Sequence, residues 1–215
     1  MRTIIRIVFI LIAGGVAWFA ALRETDGGGA ETRSASRPTA SGPTSRAART
    51  IENFAEVAPG IYRGAQPDKA GFHALAEAGV KTVICLRSWH SERDDARAAG
   101  LKVVELPIQA DVFGSEAPSE DQIKRFFEIC LDPRERPVYF HCRHGKDRTG
   151  TFAALYRIEV DGWTADRAIK EMQDLGYHDI YKDLIDFVRA YRPRGFAKAA
   201  ASKTGSGFPE TAPVR

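Results

Sequence analysis

FHCRHGKDRTG, residues 140–150, decides the reading: the end of an apolar strand, a turn containing Gly145 and the first turn of a helix follow one another directly. Cys142 and Arg148 stand six positions apart across that turn. Such a loop wraps around a tetrahedral anion, because its backbone N–H groups point inward and the helix N-terminus adds positive potential. The same field favours a thiolate at Cys142. Arg148 can grip two equatorial oxygens of a phosphoryl group with its planar fork and hold them as the group flattens, which lysine does less well. Thr149 is placed to give its hydroxyl to the sulfur when sulfur is the leaving group. Cys-x5-Arg alone is a weak pattern. The preceding strand, His141, the glycine three positions after the cysteine and the Thr-Gly at the helix start make it specific.

Around this loop, from residue 51 to residue 194, short apolar runs alternate with helical periodicity. Residues 53–57 and 61–63 read as strands joined at Pro59-Gly60, a turn dipeptide. Residues 68–78 read as a helix that stops at Gly79, with Phe72, Leu75 and Ala76 on one face. Residues 80–86 and 101–106 are β-branched strands separated by a short charged helix ending at Gly100. Ser119 and Gln122 form a capping box for a helix whose Ile123, Phe126, Phe127 and Cys130 recur at helical spacing. Residues 138–141 are the next strand. Helices follow to about residue 160, over 164–175, and over 182–191 before Pro193. The alternation predicts an α/β fold with a central, mainly parallel sheet flanked by helices.

The signature at 140–150 resembles that of the protein tyrosine phosphatase superfamily, its dual-specificity branch in particular, in which His-Cys-x-x-Gly-x-x-Arg-Thr-Gly is diagnostic. GIYRGAQP at 60–67, VKTVICLR at 80–87, and YRIEVDGW with EM at 156–172 are similar to stretches of compact bacterial members. The resemblance covers about residues 52–192 and implies the cysteine-dependent phosphatase fold. It implies a thiol mechanism with no metal and no cofactor, in which Cys142 is the nucleophile and Arg148 the phosphate clamp. The amides of Arg143, His144, Gly145, Lys146, Asp147 and Arg148 would bind the phosphate, and His141 would orient the cysteine. Arg63 and Gln66 match residues that support the signature loop in relatives, although ordinary surface roles fit them equally; His178 is open in the same way. A second cysteine able to pair reversibly with the nucleophile, as in some relatives, would be Cys85, against the plainer reading of a buried core thiol. Cys130 reads as core.

The family takes the leaving-group proton from an aspartate on a loop one strand earlier. Asp111 is the choice, just after the strand ending near Leu106 and in a loop with Gly114. Glu116 and Asp147 are the alternatives, and Glu120 and Asp121 read as helix-dipole partners. Arg143, His144 and Lys146 add unusual positive charge, which suits a polyanionic substrate or is simply a solvated rim.

Residues 7–22 are almost wholly apolar, preceded by Arg2 and Arg6. They predict a membrane segment over 1–23, with a cleaved export signal as the competing reading. The charge bias leaves the two arginines in the cytoplasm and puts the rest on the exported, periplasmic or extracellular side of a single-pass inner or plasma membrane protein; after cleavage the protein would be soluble in the periplasm. Residues 24–49 carry nothing apolar larger than alanine or proline and read as a disordered linker, as does the tail at 196–215, leaving a phosphatase domain at 50–195. The net charge of +3, with charges of both signs interspersed, gives no sign of a nucleic-acid partner. Three cysteines are too few for a disulfide framework.

The partners expected are therefore the membrane and a phosphorylated protein, or else a phosphoinositide or inositol phosphate. A phosphate-binding scaffold without catalysis is disfavoured by the intact Cys142 and Arg148. A rhodanese-like sulfurtransferase is disfavoured by Arg148-Thr149-Gly150 at the helix start.

Overall fold

A computed structural model describes residues 43–111 and 114–204. Five strands form one sheet in the order β1 (Ala55–Ala58), β2 (Ile61–Gly64), β7 (Val138–His141), β3 (Thr82–Arg87) and β4 (Lys102–Ile108). β1 and β2 form an antiparallel hairpin, and β2, β7, β3 and β4 run parallel. A two-stranded hairpin, β5 (Ala110–Asp111) with β6 (Gly114–Ser115), follows β4. The strand carrying the signature is thus in the middle of the sheet. Its last residue, His141, lies level with Gly64 on one side and Cys85 on the other. The three mark the carboxyl edge of the parallel strands, where open α/β sheets bind ligands.

Side chains alternate across the strands and sort into two cores. Ile61, Ile84, Val138 and Phe140 point to one face, with Ile123, Phe126 and Phe127 of α4 (Glu120–Cys130) and Phe152 and Leu155 of α5 (Asp147–Glu159). Ala168 and Met172 of α6 (Ala165–Asp174) and Leu184 and Val188 of α7 (Lys182–Ala190) complete that face. Tyr62, Val83 and Tyr139 point to the other, with Ala47 of α1 (Pro43–Thr50), Phe72 and Leu75 of α2 (Lys69–Glu77) and Ala96 of α3 (Arg93–Ala98). Cover on both faces explains why β3 is an unbroken apolar run rather than an alternating one.

The local signals act as expected. The Ser119 hydroxyl accepts from the Gln122 amide while the Gln122 side chain takes the Ser119 N–H at 2.7 Å, closing the capping box of α4. Asp68 caps α2 by accepting from the Gly71 N–H at 2.7 Å.

Two boundaries are corrected. Residues 43–49 are helical rather than linker: Ala47 is fully buried and Arg46 pairs with Glu77 at 2.8 Å. The absence of large apolar residues was a poor guide there, because a small side chain suits a helix packed closely on another, and Ile51 supplies the bulk beyond it. Residues 196–204 form α8 (Phe196–Thr204), with the Phe196 ring stacked on Phe127 at 5.1 Å. The amides of Arg194 and Phe196 both donate to Glu159, each at 2.7 Å, so the domain does not end at 195. The expected membrane segment at 1–23 and the linker from 24 to 42 lie outside the described residues, as do 205–215. Among the described residues no helix is long and apolar enough to cross a membrane.

Candidate active site

Cys142 follows β7 directly and is buried to 2% exposure, and Asp147 opens α5 five residues later. The carbonyls of the loop between them are held from outside, one after another. The Gln66 amide donates to the Arg143 carbonyl at 3.2 Å, the Asn53 side-chain amide to the His144 carbonyl at 2.8 Å, and the Arg63 guanidinium to the Gly145 carbonyl at 2.7 Å. In a planar trans peptide the C=O and N–H point opposite ways. Three carbonyls drawn toward β2 and its flanks therefore turn the N–H groups of the same peptides toward the opposite, inner side. The loop can follow this path because Gly145 has φ +70° and its α-carbon lies against the backbone of Gly64 and Ala65.

Arg63 is the largest fully buried side chain. Its Nε and Nη1 are buried without hydrogen-bond partners, and burial lowers its pKa to about 10. The Glu171 carboxylate, ahead of Cys142 and Tyr139, opposes that shift.

His141 is wholly buried, with Nδ1 3.2 Å from the Cys142 carbonyl and Nε2 2.7 Å from Glu92 Oε1. Glu92 is a site residue that the sequence reading missed. It stands at the N-cap of α3 yet caps nothing, its other oxygen accepting from Gln66 Nε2 at 2.5 Å. Burial alone would raise the Glu92 carboxyl, but the hydrogen bonds from His141 and Gln66 and the positive charge of His141 outweigh it and hold the group below its ordinary range. The available signal was chemical: glutamate is a poor N-cap, so one standing there without capping is placed for another partner.

Arg148 is half-buried and donates from Nη1 to the Ile108 carbonyl at 3.2 Å, tying the clamp to the end of β4. Asp111 comes three residues later, with its backbone paired to Gly114 in the β5–β6 hairpin. Its side chain lies outside the described part of the structure. Glu116 is exposed just beyond β6, its amide bonded to the Gln109 carbonyl. Asp147 is committed elsewhere. Its carboxylate receives the His178 backbone N–H at 2.8 Å and faces the His178 ring nitrogen at 3.0 Å, fastening the α6–α7 connection to the signature.

The Thr149 hydroxyl is buried without a hydrogen-bond partner. Arg143 and His144 expose their side chains, while the Lys146 stem lies over Gly176. Cys85, Cys130 and Cys142 are free thiols. Burial, reinforced by Glu92, pushes the Cys85 thiol up to about 12, and burial alone drives Cys130 well up. Both are core thiols.

Residues 43–182 match the family described as DSP-PTPase phosphatase fused to NAD+ kinase. The dual specificity protein phosphatase TpbA of Pseudomonas aeruginosa is 35% identical over 156 residues, 70% of this chain and 67% of that protein. Its crystal structure superposes with a TM-score of 0.59 at 33% identity, covering 71% of this chain and 92% of the solved one. An inositol diphosphatase of rice is 29% identical over 128 residues, 56% of this chain and 55% of that protein. The family match runs from the first residue of α1 to the first of α7, and so takes in every segment that pins the signature loop. On that ground the chain belongs to the DSP-PTPase phosphatases, the dual-specificity kind of cysteine-dependent phosphatase.

Proposed function

We propose that this chain hydrolyses phosphomonoesters of tyrosine, serine or threonine in proteins through a phosphocysteine intermediate. The Cys142 thiolate attacks phosphorus, forming the P–S bond as the P–O bond to the substrate breaks. Asp111 gives its proton to the departing oxygen and then takes one from the water that hydrolyses the P–S bond, releasing inorganic phosphate and restoring the thiolate. Arg148 and the loop amides hold the equatorial oxygens throughout. The observation that carries this reading is the outward pinning of the carbonyls of Arg143, His144 and Gly145, which leaves an anion cradle beside Cys142. The similarity to a dual specificity protein phosphatase supports the protein substrate.

Inositol phosphates or phosphoinositides are the second reading, favoured by the exposed Arg143 and His144 beside Lys146 on the rim and by the likeness to an inositol diphosphatase. Residues 1–23 are proposed to hold the enzyme in the membrane with its catalytic part exported, supported by the apolar run behind Arg2 and Arg6; recovery of the chain in the soluble periplasmic fraction would instead support cleavage.

The test is hydrolysis of p-nitrophenyl phosphate by the full chain in EDTA, beside Cys142→Ser and Asp111→Asn. The serine variant is expected to be inactive and the asparagine variant to lose on the order of a hundredfold or more. A folded, reduced parent without activity refutes the proposal, and activity that survives Asp111→Asn moves the acid to Glu116. Comparing kcat/KM on a phosphotyrosyl peptide with that on an inositol polyphosphate, in the parent and in Arg143→Ala/His144→Ala, separates the two substrate classes.

A further inference from the structure

The two nitrogens of His141 face acceptors that cannot donate. A carbonyl, that of Cys142, lies 3.2 Å from Nδ1, and a carboxylate oxygen of Glu92 lies 2.7 Å from Nε2. A neutral imidazole has one N–H and so could satisfy only one of them. With acceptors at both nitrogens, the arrangement is the one that a doubly protonated ring satisfies in full, directly before the nucleophile. Such a charge needs a counterion in the interior, and Glu92 is that counterion. Gln66 Nε2 and His141 Nε2 hold the two oxygens of the Glu92 carboxylate, fixing its orientation.

We propose that Glu92 is a positioning residue for catalysis: through His141 it holds a positive charge beside Cys142 and so keeps the nucleophile a thiolate. The inference rests on Cys142 being the nucleophile. Glu92 acts by fixing the ring and its charge. The other titratable groups about the pair are Cys85 and Arg87 of β3, His90 of the Glu92 loop at 3.7 Å, Tyr139 stacked on the His141 ring at 5.6 Å, and Arg63 of β2.

The sign of the effect separates this from simple proximity. A carboxylate acting directly through space repels a thiolate, so its removal would make Cys142 easier to ionise. Acting through His141, its removal takes the cation away and makes Cys142 harder to ionise. The experiment is the rate of Cys142 alkylation by iodoacetamide against pH, read by peptide mass so that Cys85 and Cys130 are excluded, in the full chain and in Glu92→Gln. The amide keeps the side chain's size and can still accept from one neighbour. The midpoint is expected to move up by about one pH unit, a tenfold loss of alkylation on the acid side. The kcat/KM profile should fall by the same factor there and converge with the parent's at alkaline pH.

In a His141→Asn background Glu92→Gln should add no further shift, since the route is already cut. A midpoint that stays put or moves down in Glu92→Gln overturns the proposal, as does an equal upward shift in the His141→Asn background. So does a loss of activity that is uniform across pH and accompanied by a lower melting temperature, which marks a merely structural residue. Alkylation reads the thiolate whether or not the parent turns over. An inactive parent with the expected shift therefore refutes the phosphatase reading alone, and an active parent without it refutes the role of Glu92 alone.

Discussion

A Cβ placed on Gly145 would lie 2.4 Å from the carbonyl carbon of Gly64, so signature loop and β2 meet backbone to backbone with no room for a side chain. Neither segment can give way, since Gly64 is in the sheet and Gly145 is held through its carbonyl by Arg63. Gly145→Ala is therefore expected to lose essentially all phosphatase activity and on the order of 3 kcal/mol or more of stability, seen as a lowered urea midpoint. An alanine variant that kept parental stability and turnover would show that the two backbones can separate freely.

Arg63 makes one hydrogen bond and leaves two buried nitrogens, Nε and Nη1, without partners. Those orphaned donors and the buried charge offset what the one bond contributes. Replacing it by methionine, of similar reach and no charge, should leave stability within about 1 kcal/mol of the parent, while freeing the Gly145 carbonyl should lower kcat by about tenfold or more. Thermal unfolding and steady-state kinetics on one preparation decide it, because a large loss of stability with kcat intact would reverse the assignment.

His178 joins the α6–α7 connection to the first residue of the signature helix through the Asp147 carboxylate. In His178→Ala the backbone N–H remains as a partner, so stability should fall by no more than about 1 kcal/mol. Amide hydrogen exchange in residues 175–181 should speed up, and kcat/KM should drop a few-fold through looser placement of Asp147. Unchanged exchange across that connection would show that the ring contributes nothing.

The Glu92 carboxyl is lower in the folded protein than its ordinary value near 4.5. The folded state then binds fewer protons than the unfolded one over that interval, so unfolding takes up a proton. Stability from this group is complete above about pH 4.5 and is lost as pH falls through the depressed folded value. Urea midpoints against pH should show an acid-side decline that is smaller in Glu92→Gln, and parallel curves for the two proteins would remove Glu92 from the acid transition.

The parallel order of the sheet, the helix starts and the signature loop were legible because each rests on local chemistry: unbroken apolar strands, the Ser119 capping box and the glycine of the anion loop. What escaped was long-range or small. Glu92 lies 49 residues from His141, and nothing near it in the chain says that it is buried. Asn53, read as the start of a strand, sits at φ 54° before β1 and turns its amide to the signature loop 91 residues away. Ala47 buries its methyl in a segment that composition alone assigns to a tether, and Phe196 docks on Phe127 from what looked like a tail.

The pinning of the loop also sets when the site can exist. Its outer bonds join residues 82 and 91 positions apart, contacts that close late because long loops must first be fixed. A chain with β2 undocked has the catalytic cysteine and arginine but nothing to hold the carbonyls outward, so it cannot grip a phosphate. Oxyanions such as vanadate then bind only the completed fold, and by mass action their affinity is lent to the whole domain, from α1 onward, as resistance to unfolding.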